Sequence, residues 1–253
     1  YFEDSETQKR VFKFLKEKIN FQRYDEIFET YEKIGEGHFA EVKRCIEKKT
    51  GKEYAVKIMN KKTMKPKDLS LVLQEKNYMS IIKHPNIISL IKNFEDIDYL
   101  YFVMEYFKGG DLSEYIKHSE KVTPENREHI SAKIIKIIAQ GIQYLNYFGI
   151  VHRDLKPQNI VFGKKDDIKS IKIIDLGVAA ILPYGVNSET AIGTFEYIAP
   201  EIYADKPYSH KVDVWSIGII LYYLVTGGVF PFDDEKMDEE TIGKKVVFTH
   251  QEY

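Results

Sequence analysis

The period of apolar positions changes near the middle of the chain, from strand-like alternation to the wider spacing of helices. Over Tyr54–Met59 the alternation puts Ala55, Lys57 and Met59 on one face and Tyr54, Val56 and Ile58 on the other. Short strands are predicted from Tyr31 to Met59, and again in the run Tyr99–Tyr106. Between them Asp68–Ile82 reads as one helix, and the HPNII segment from His84 reads as the return to strands. Gly109 and Gly110 break the chain, and Thr123-Pro124-Glu125 signals a long helix lined on one side by Ile130, Ile134, Ile137, Ile138 and Leu145. The apolar run Val214–Val225, interrupted by Ser216 and Gly218, reads as a buried helix and falls well short of the roughly 20 residues that cross a bilayer. Ahead of the first strand, Val11, Phe12, Leu15 and Ile19 at helical spacing predict an amphipathic helix and a linker. The expected division is residues 1–30 as amino-terminal helix and linker, 31–107 as a small strand-rich unit and 108–253 as a larger helical one.

Composition narrows the class. With 43% hydrophobic and 30% charged residues, a chain of 253 residues buries a sizeable core. Its 37 basic and 39 acidic residues nearly cancel, which removes any bulk attraction to nucleic acid or an anionic membrane. A single cysteine, Cys45, allows no internal disulfide, favours a reducing compartment and argues against structural zinc. The first residues lack the pattern of a secretory leader, so an intracellular setting, cytoplasmic or nuclear, without a transmembrane segment is expected.

The segment Ile34–Val42, IGEGHFAEV, reads as strand, glycine turn and strand, in which Gly35 and Gly37 let backbone amides approach phosphate oxygens. A hairpin needing flexible turn residues explains the same string, whereas a dinucleotide fingerprint requires a helix after the glycines, where a strand is predicted. Lys57 emerges from its strand as a cation, and Glu75 on the next helix is an acid able to hold it; singly, each also reads as a solvated surface charge. The string Val151–Phe162, VHRDLKPQNIVF, carries more. Asp154 is suited to accept a hydroxyl proton, Lys156 to neutralise a phosphate in flight, and Asn159 to offer a carbonyl oxygen to a hard cation. Further on, Asp175 before Gly177 supplies a second hard oxygen ligand, and this combination suits magnesium-nucleotide chemistry.

In order, GEGHFAEV, AVK, HRDLKPQN, DLG, APE and DVWSIG resemble the eukaryotic protein kinase family from Tyr31 to about Phe232. The resemblance implies an α+β, two-lobed fold, with a five-stranded antiparallel sheet and one helix in front, a helical lobe behind, and ATP in the cleft between them. It implies a flap of Ile34, Gly35 and Gly37 over ATP, and Lys57 on the phosphates, locked by Glu75. Magnesium would be held by Asn159 and Asp175. Met104 resembles the gatekeeper, Glu105 to Phe107 the adenine-binding hinge and Asp111 the acidic ribose contact, with Val42, Ala55 and Val161 sandwiching adenine. Met79, Leu90, His152 and Leu176 resemble the spine of the active state. Lys156, with GTFEYIAPE from Gly193 to Glu201, is similar to the serine/threonine branch, where Thr194 would contact Asp154 and Lys156. Arg153 is similar to arginines that pair with a phosphate added nearby, which makes Ser188 and Thr190 candidate acceptors for an upstream kinase. The hinge MEYFKGGDL, HPNII and DVWSIGIILYYLVTGG most resemble the calcium/calmodulin-dependent group, although neither a calcium-binding loop nor a calmodulin-binding helix is present in the sequence. The expected partners are protein substrates with serine or threonine acceptors.

Several positions depart from the family pattern. Ala40 replaces the third glycine of the flap and Leu176 the usual phenylalanine, changes also found in active relatives. Gln158 stands where basophilic members often carry glutamate, and the acidic run Asp233, Asp234 and Glu235 is either compensation or a solvated charge run. The family continues for several helices past the position of Thr241, including an arginine that pairs with the glutamate of APE. Buried without it, Glu201 would cost several kcal/mol, so a longer protein or a poorly stable fragment is expected. Rival functions are a catalytically impaired scaffold with this fold and a non-kinase nucleotide-binding module.

Overall fold

The computed structural model describes residues 22–37, 40–182, 188 and 192–232. The amphipathic positions Val11 to Ile19, together with Thr190, Asp233 to Glu235 and Thr241, lie outside the described residues. Two compact units emerge, Tyr1–Leu69 with Leu90–Tyr106, and Ser70–Ser89 with Phe107–Tyr253.

In the first unit a single helical turn, α1 (Tyr24–Ile27), leads into β1 (Phe28–Gly37), β2 (Ala40–Glu47) and β3 (Glu53–Asn60), and the later β4 (Leu90–Glu95) and β5 (Tyr99–Glu105) complete the sheet. The sheet is five-stranded, ordered β1-β2-β3-β5-β4, with every pairing antiparallel. Its two faces follow the alternation of β3. Lys57 lies across from Val42 on one side and Phe102 on the other, in the same row in which Gly35 faces Val42. The opposite face is an aromatic core of Tyr24, Phe28, Cys45, Tyr54, Val56 and Val103. Tyr24 stacks on Tyr101 at 4.5 Å and on Phe28 at 5.6 Å, and its hydroxyl meets Thr30 Oγ1 at 2.7 Å. This packing starts the strand at Phe28, earlier than the Tyr31 read from the pattern, because aromatic rings bury large apolar areas even from a short turn. Cys45 is fully buried, and burial pushes its thiol up to about 11, as befits an unreactive strand residue.

The second unit is mainly helical. It takes α2 (Pro66–Ile81) from Ser70 onward, then α3 (Leu112–His118), α4 (Arg127–Tyr147), α5 (Pro200–Tyr203) and α6 (Lys211–Thr226), with the short strands β6 (Ile150–Val151), β7 (Ile160–Phe162), β8 (Ile171–Ile173) and β9 (Ala180–Ile181). β6 pairs with β9 and β7 with β8. The HPNII segment does not enter the five-stranded sheet. Ile173 N donates to Asn86 O at 2.8 Å and Ile88 N to Ile173 O at 2.9 Å, so this stretch clamps β8.

Helix α4 starts later than Thr123-Pro124-Glu125 suggests. Thr123 N donates to Asn126 Oδ1 at 2.9 Å and Asn126 N to Thr123 O at 3.2 Å, forming a turn that delays the first helical residue to Arg127. Its buried stripe is also rotated, to Ser131, Ile134, Ile138, Gly141, Ile142 and Leu145, while Ile130 and Ile137 are only half-buried. The cause is a close approach: a β-carbon on Gly141 would lie 2.8 Å from Ile173 Cδ1, so the glycine admits β8 against the helix. The Val214–Val225 run forms α6 but is two-faced. Val212, Asp213, Ser216, Ile219, Ile220, Tyr223 and Leu224 are buried, whereas Val214 is 57% exposed. Among the described residues, no helix is long and apolar enough to cross a membrane. Glu201 on α5 is only partly buried, which lowers the desolvation cost assigned to it from sequence.

Candidate active site

The loop from His152 to Asn159 is built on an alternation of buried anchors and half-buried polar groups. Val151, His152, Leu155, Pro157, Asn159 and Ile160 are buried, and Arg153, Asp154 and Lys156 between them are not. Pro157 opens a short 3-10 turn, Pro157–Asn159, and Asn159 N closes it on Lys156 O at 2.9 Å.

The polar groups of this loop and Thr194 form one network. Asp154 Oδ1 accepts the Thr194 hydroxyl at 2.5 Å, and its Oδ2 lies 2.9 Å from Lys156 Nζ. Lys156 Nζ also donates to Thr194 Oγ1 at 2.6 Å. Asn159 Nδ2 donates to Asp154 O at 2.8 Å and to Asp154 Oδ2 at 3.1 Å, so its amide nitrogen is committed to Asp154 and its carbonyl oxygen is the end offered to a cation. Burial acts to raise the Asp154 carboxyl, but the Thr194 hydroxyl and the Lys156 ammonium outweigh it and hold Asp154 below the ordinary aspartate range.

Asp213, in the first turn of α6, supports this loop from beneath. Fully buried, it accepts His152 N on Oδ2 and Arg153 N on Oδ1, each at 2.9 Å. Burial pushes its carboxyl above the ordinary range, against the pull of His152 and of those two backbone donors. Arg153 needs that support because its φ of 67° is left-handed, a conformation that costs a non-glycine residue roughly 1–2 kcal/mol. Its Nε donates to Val178 O at 2.7 Å, and one terminal nitrogen donates to the Tyr208 hydroxyl at 3.2 Å. Sequence reading assigned Asp213 no role; the available signal was a carboxylate opening the otherwise apolar helix of the DVWSIG motif.

Asp175 is exposed and likewise left-handed, with φ 65°. The backbone bond from Ile174 N to Asn159 O, at 2.9 Å, ties its strand end to the Asn159 turn. Gly177 N donates to Asp175 Oδ1 at 3.2 Å, and a β-carbon on Gly177 would sit 3.0 Å from that oxygen and 3.7 Å from Oε2 of Glu75, which is itself buried. The two hard oxygen donors proposed for magnesium thus belong to adjoining segments. Among the described residues no cluster of three His, Cys, Asp or Glu side chains could hold a metal ion by itself.

The remaining candidates fall on both units. In the first, Val42 joins Gly35 and Lys57 in one row, Ala55 faces Met104 across β3 and β5, Glu105 ends β5, and Ile34 is exposed; Gly37 faces Ala40 in the strand register. Leu90 is partly buried there. In the second, Phe107 is half-buried, and Asp111 caps α3 by accepting Glu114 N at 3.0 Å and the Ser113 hydroxyl at 2.6 Å. A β-bridge joins Asp111 to Val161. Met79, His152 and Leu176 are buried in the same unit, where Ser188 pairs by backbone with Tyr208.

Comparison with known proteins gives a consistent picture. A family model for the protein kinase domain matches residues 28–251. Serine/threonine-protein kinase DCLK1 of Rattus norvegicus is 39% identical over 215 residues, covering 85% of this chain and 48% of that protein. Serine/threonine-protein kinase DCLK2 of Mus musculus is 38% identical over 238 residues, covering 91% of this chain and 30% of that protein. The SNF1-related protein kinase catalytic subunit alpha KIN12 of Arabidopsis thaliana is 37% identical over 205 residues, with 81% and 40% covered. The chain spans less than half the length of each of these three relatives.

Proposed function

The chain belongs to the protein kinase family, and from that premise we propose that it transfers the γ-phosphate of ATP to serine or threonine hydroxyls of protein substrates. The observation that carries this reading is the Asp154–Thr194–Lys156 network. Asp154 is ionised at neutral pH and accepts or orients the proton of an incoming hydroxyl. Lys156 sits beside it as a fixed cation for charge on the group being transferred, and Thr194 sets the spacing between the two. Because a loose phosphoryl transition state needs little covalent help, alignment and charge dominate the catalysis.

Asn159 Oδ1 and Asp175 are the donors we assign to magnesium, which when bound offsets negative charge on the nucleotide phosphates. In the first unit, Gly35, Gly37 and Lys57 are assigned to the phosphates and Val42, Ala55, Met104 and Glu105 to the adenine side. Within the family, the hinge and the DVWSIGIILYYLVTGG run support membership of the calcium/calmodulin-dependent-like group.

The test is incorporation of labelled γ-phosphate into a mixed serine/threonine peptide library by the full-length protein. Asp175→Ala is expected to abolish transfer, and Asp154→Ala to reduce it by about 10²–10⁴-fold while ATP still binds. Full transfer by either variant, or ATP binding without transfer to any peptide, overturns the reading.

A further inference from the structure

Tyr208 makes two contacts that no motif announces. Its side chain is 2% exposed and packs with Val151, Leu182, Ala199, Ile202 and Val212, while its hydroxyl accepts the Arg153 guanidinium at 3.2 Å. Its backbone exchanges two hydrogen bonds with Ser188, each of 2.9 Å, so the same residue also holds Ser188. Arg153 is the neighbour of Asp154, and three contacts fix it: its amide on Asp213, its Nε on Val178 O and its terminal nitrogen on Tyr208. A left-handed residue held at backbone and side chain together does not rotate without carrying Asp154 with it.

We propose that Tyr208 is a positioning residue for phosphoryl transfer, whose buried hydroxyl seats the Arg153 guanidinium so that transfer proceeds on a chain carrying no activating phosphate. A phosphate placed on Ser188 or Thr190 by a second kinase then adjusts the rate and is not a condition for it. The reasoning is one of substitution. A guanidinium held by a carbonyl and a hydroxyl already has acceptors that fix its position, the positional part of what a phosphate would bring, and a hydrogen bond to a charged group is worth more than a neutral one. The inference rests on the proposed kinase activity.

The experiment uses the full-length protein, phosphatase-treated and verified phosphate-free by mass spectrometry, with kcat and KM for ATP and peptide measured beside the melting temperature. Untreated and treated wild type are expected to agree within about threefold, and so is Ser188→Ala/Thr190→Ala. Tyr208→Phe, which keeps the ring in its cluster, is expected to lower kcat about tenfold with KM for ATP unchanged within about twofold. Arg153→Lys, which also loses the bond to Val178 O, should lower kcat at least as much, and the double variant should fall little below it, because both changes remove the Arg153–Tyr208 contact. A structural role alone would lower the melting temperature without that kcat-selective, non-additive pattern. Should Tyr208→Phe fail to fold, Arg153→Lys carries the test, since full activity there overturns the proposal. Treated wild type that is silent while the untreated form is active overturns it as well, as do full activity of Tyr208→Phe and additive losses. ATP binding without transfer by either form overturns the kinase reading itself, and this inference with it.

Discussion

Replacing Asp213 with asparagine tests how much the floor of the loop that carries Asp154 contributes. The carboxylate accepts one buried and one part-buried backbone N–H group, each at 2.9 Å, and asparagine offers one acceptor oxygen in the same volume. One N–H therefore keeps its bond, and the other faces an amide NH2 and is left unpaired at about 1–3 kcal/mol. Removing a buried charge works in the opposite direction, and burial is the largest influence on this carboxyl, so the net loss should sit toward the lower end of that range. For a chain of this size a loss of about 1 kcal/mol corresponds to a fall of about 2–4 °C in Tm, read by calorimetry. Activity should suffer more than stability, because the freed backbone lets Arg153 leave its left-handed φ of 67° and carries Asp154 off line. Displacement near 1 Å costs on the order of 100-fold. The pH dependence has a definite sign. A folded-state value raised above 3.8 means that the ionised carboxylate costs stability, a cost absent below 3.8 and complete above the folded value. The stability gap between wild type and Asp213→Asn should therefore widen on acidification through that window. Unchanged kcat together with a pH-independent gap would refute the assignment of Asp213 as the support of this loop.

Thr194→Val keeps the shape of the side chain and removes the hydroxyl shared by Asp154 and Lys156; kcat should fall about 10–100-fold and Thr194→Ser should restore most of it, measured by peptide phosphorylation. The same change deletes the strongest influence that lowers the Asp154 carboxyl, so the acidic limb of kcat/KM should move to higher pH, and a shift to lower pH would contradict the geometry. Asp154→Asn carries the opposite stability signature from Asp213→Asn. A depressed carboxyl contributes stability above 3.8 that is lost as pH falls through its folded value, so the gap from wild type in urea titrations should close on acidification. Gly109→Ala should destabilise the fold by about 1–3 kcal/mol, since the new β-carbon would lie 2.5 Å from Phe162 O; an unchanged denaturation midpoint would show that the backbone gives way there.

Most of the candidate site was legible because its chemistry is contiguous in the chain. Asp154, Lys156 and Asn159 fall within one short loop, and the alternation of β3 placed Lys57 on its face without reference to any other strand. The strand-rich first part and the helical second half likewise follow from hydrophobic period and glycine punctuation, which are local properties, whereas the count of five strands came from the family resemblance. The helix faces were less legible. The pattern alone admits Ile130 and Ile137 to the stripe of α4, and only the approach of Ile173 to Gly141 selects the adjacent face.

What the tertiary structure decided lies between residues far apart in sequence. Asp213 is 61 positions from His152, and Tyr208 is 55 from Arg153. In a linear reading each is a polar residue beside an apolar run, with nothing to show which donor it will meet. The HPNII segment looks like the entry to a strand, yet its backbone groups are satisfied by β8, because a buried N–H or C=O must be paired and the nearest partner is set by packing. The sequence by itself thus singled out the groups proposed for phosphoryl transfer and the local scaffold on which they ride. The fold decided which buried carboxylate, hydroxyl and backbone groups hold them still, because that depends on long-range hydrogen bonds formed only when the chain is packed.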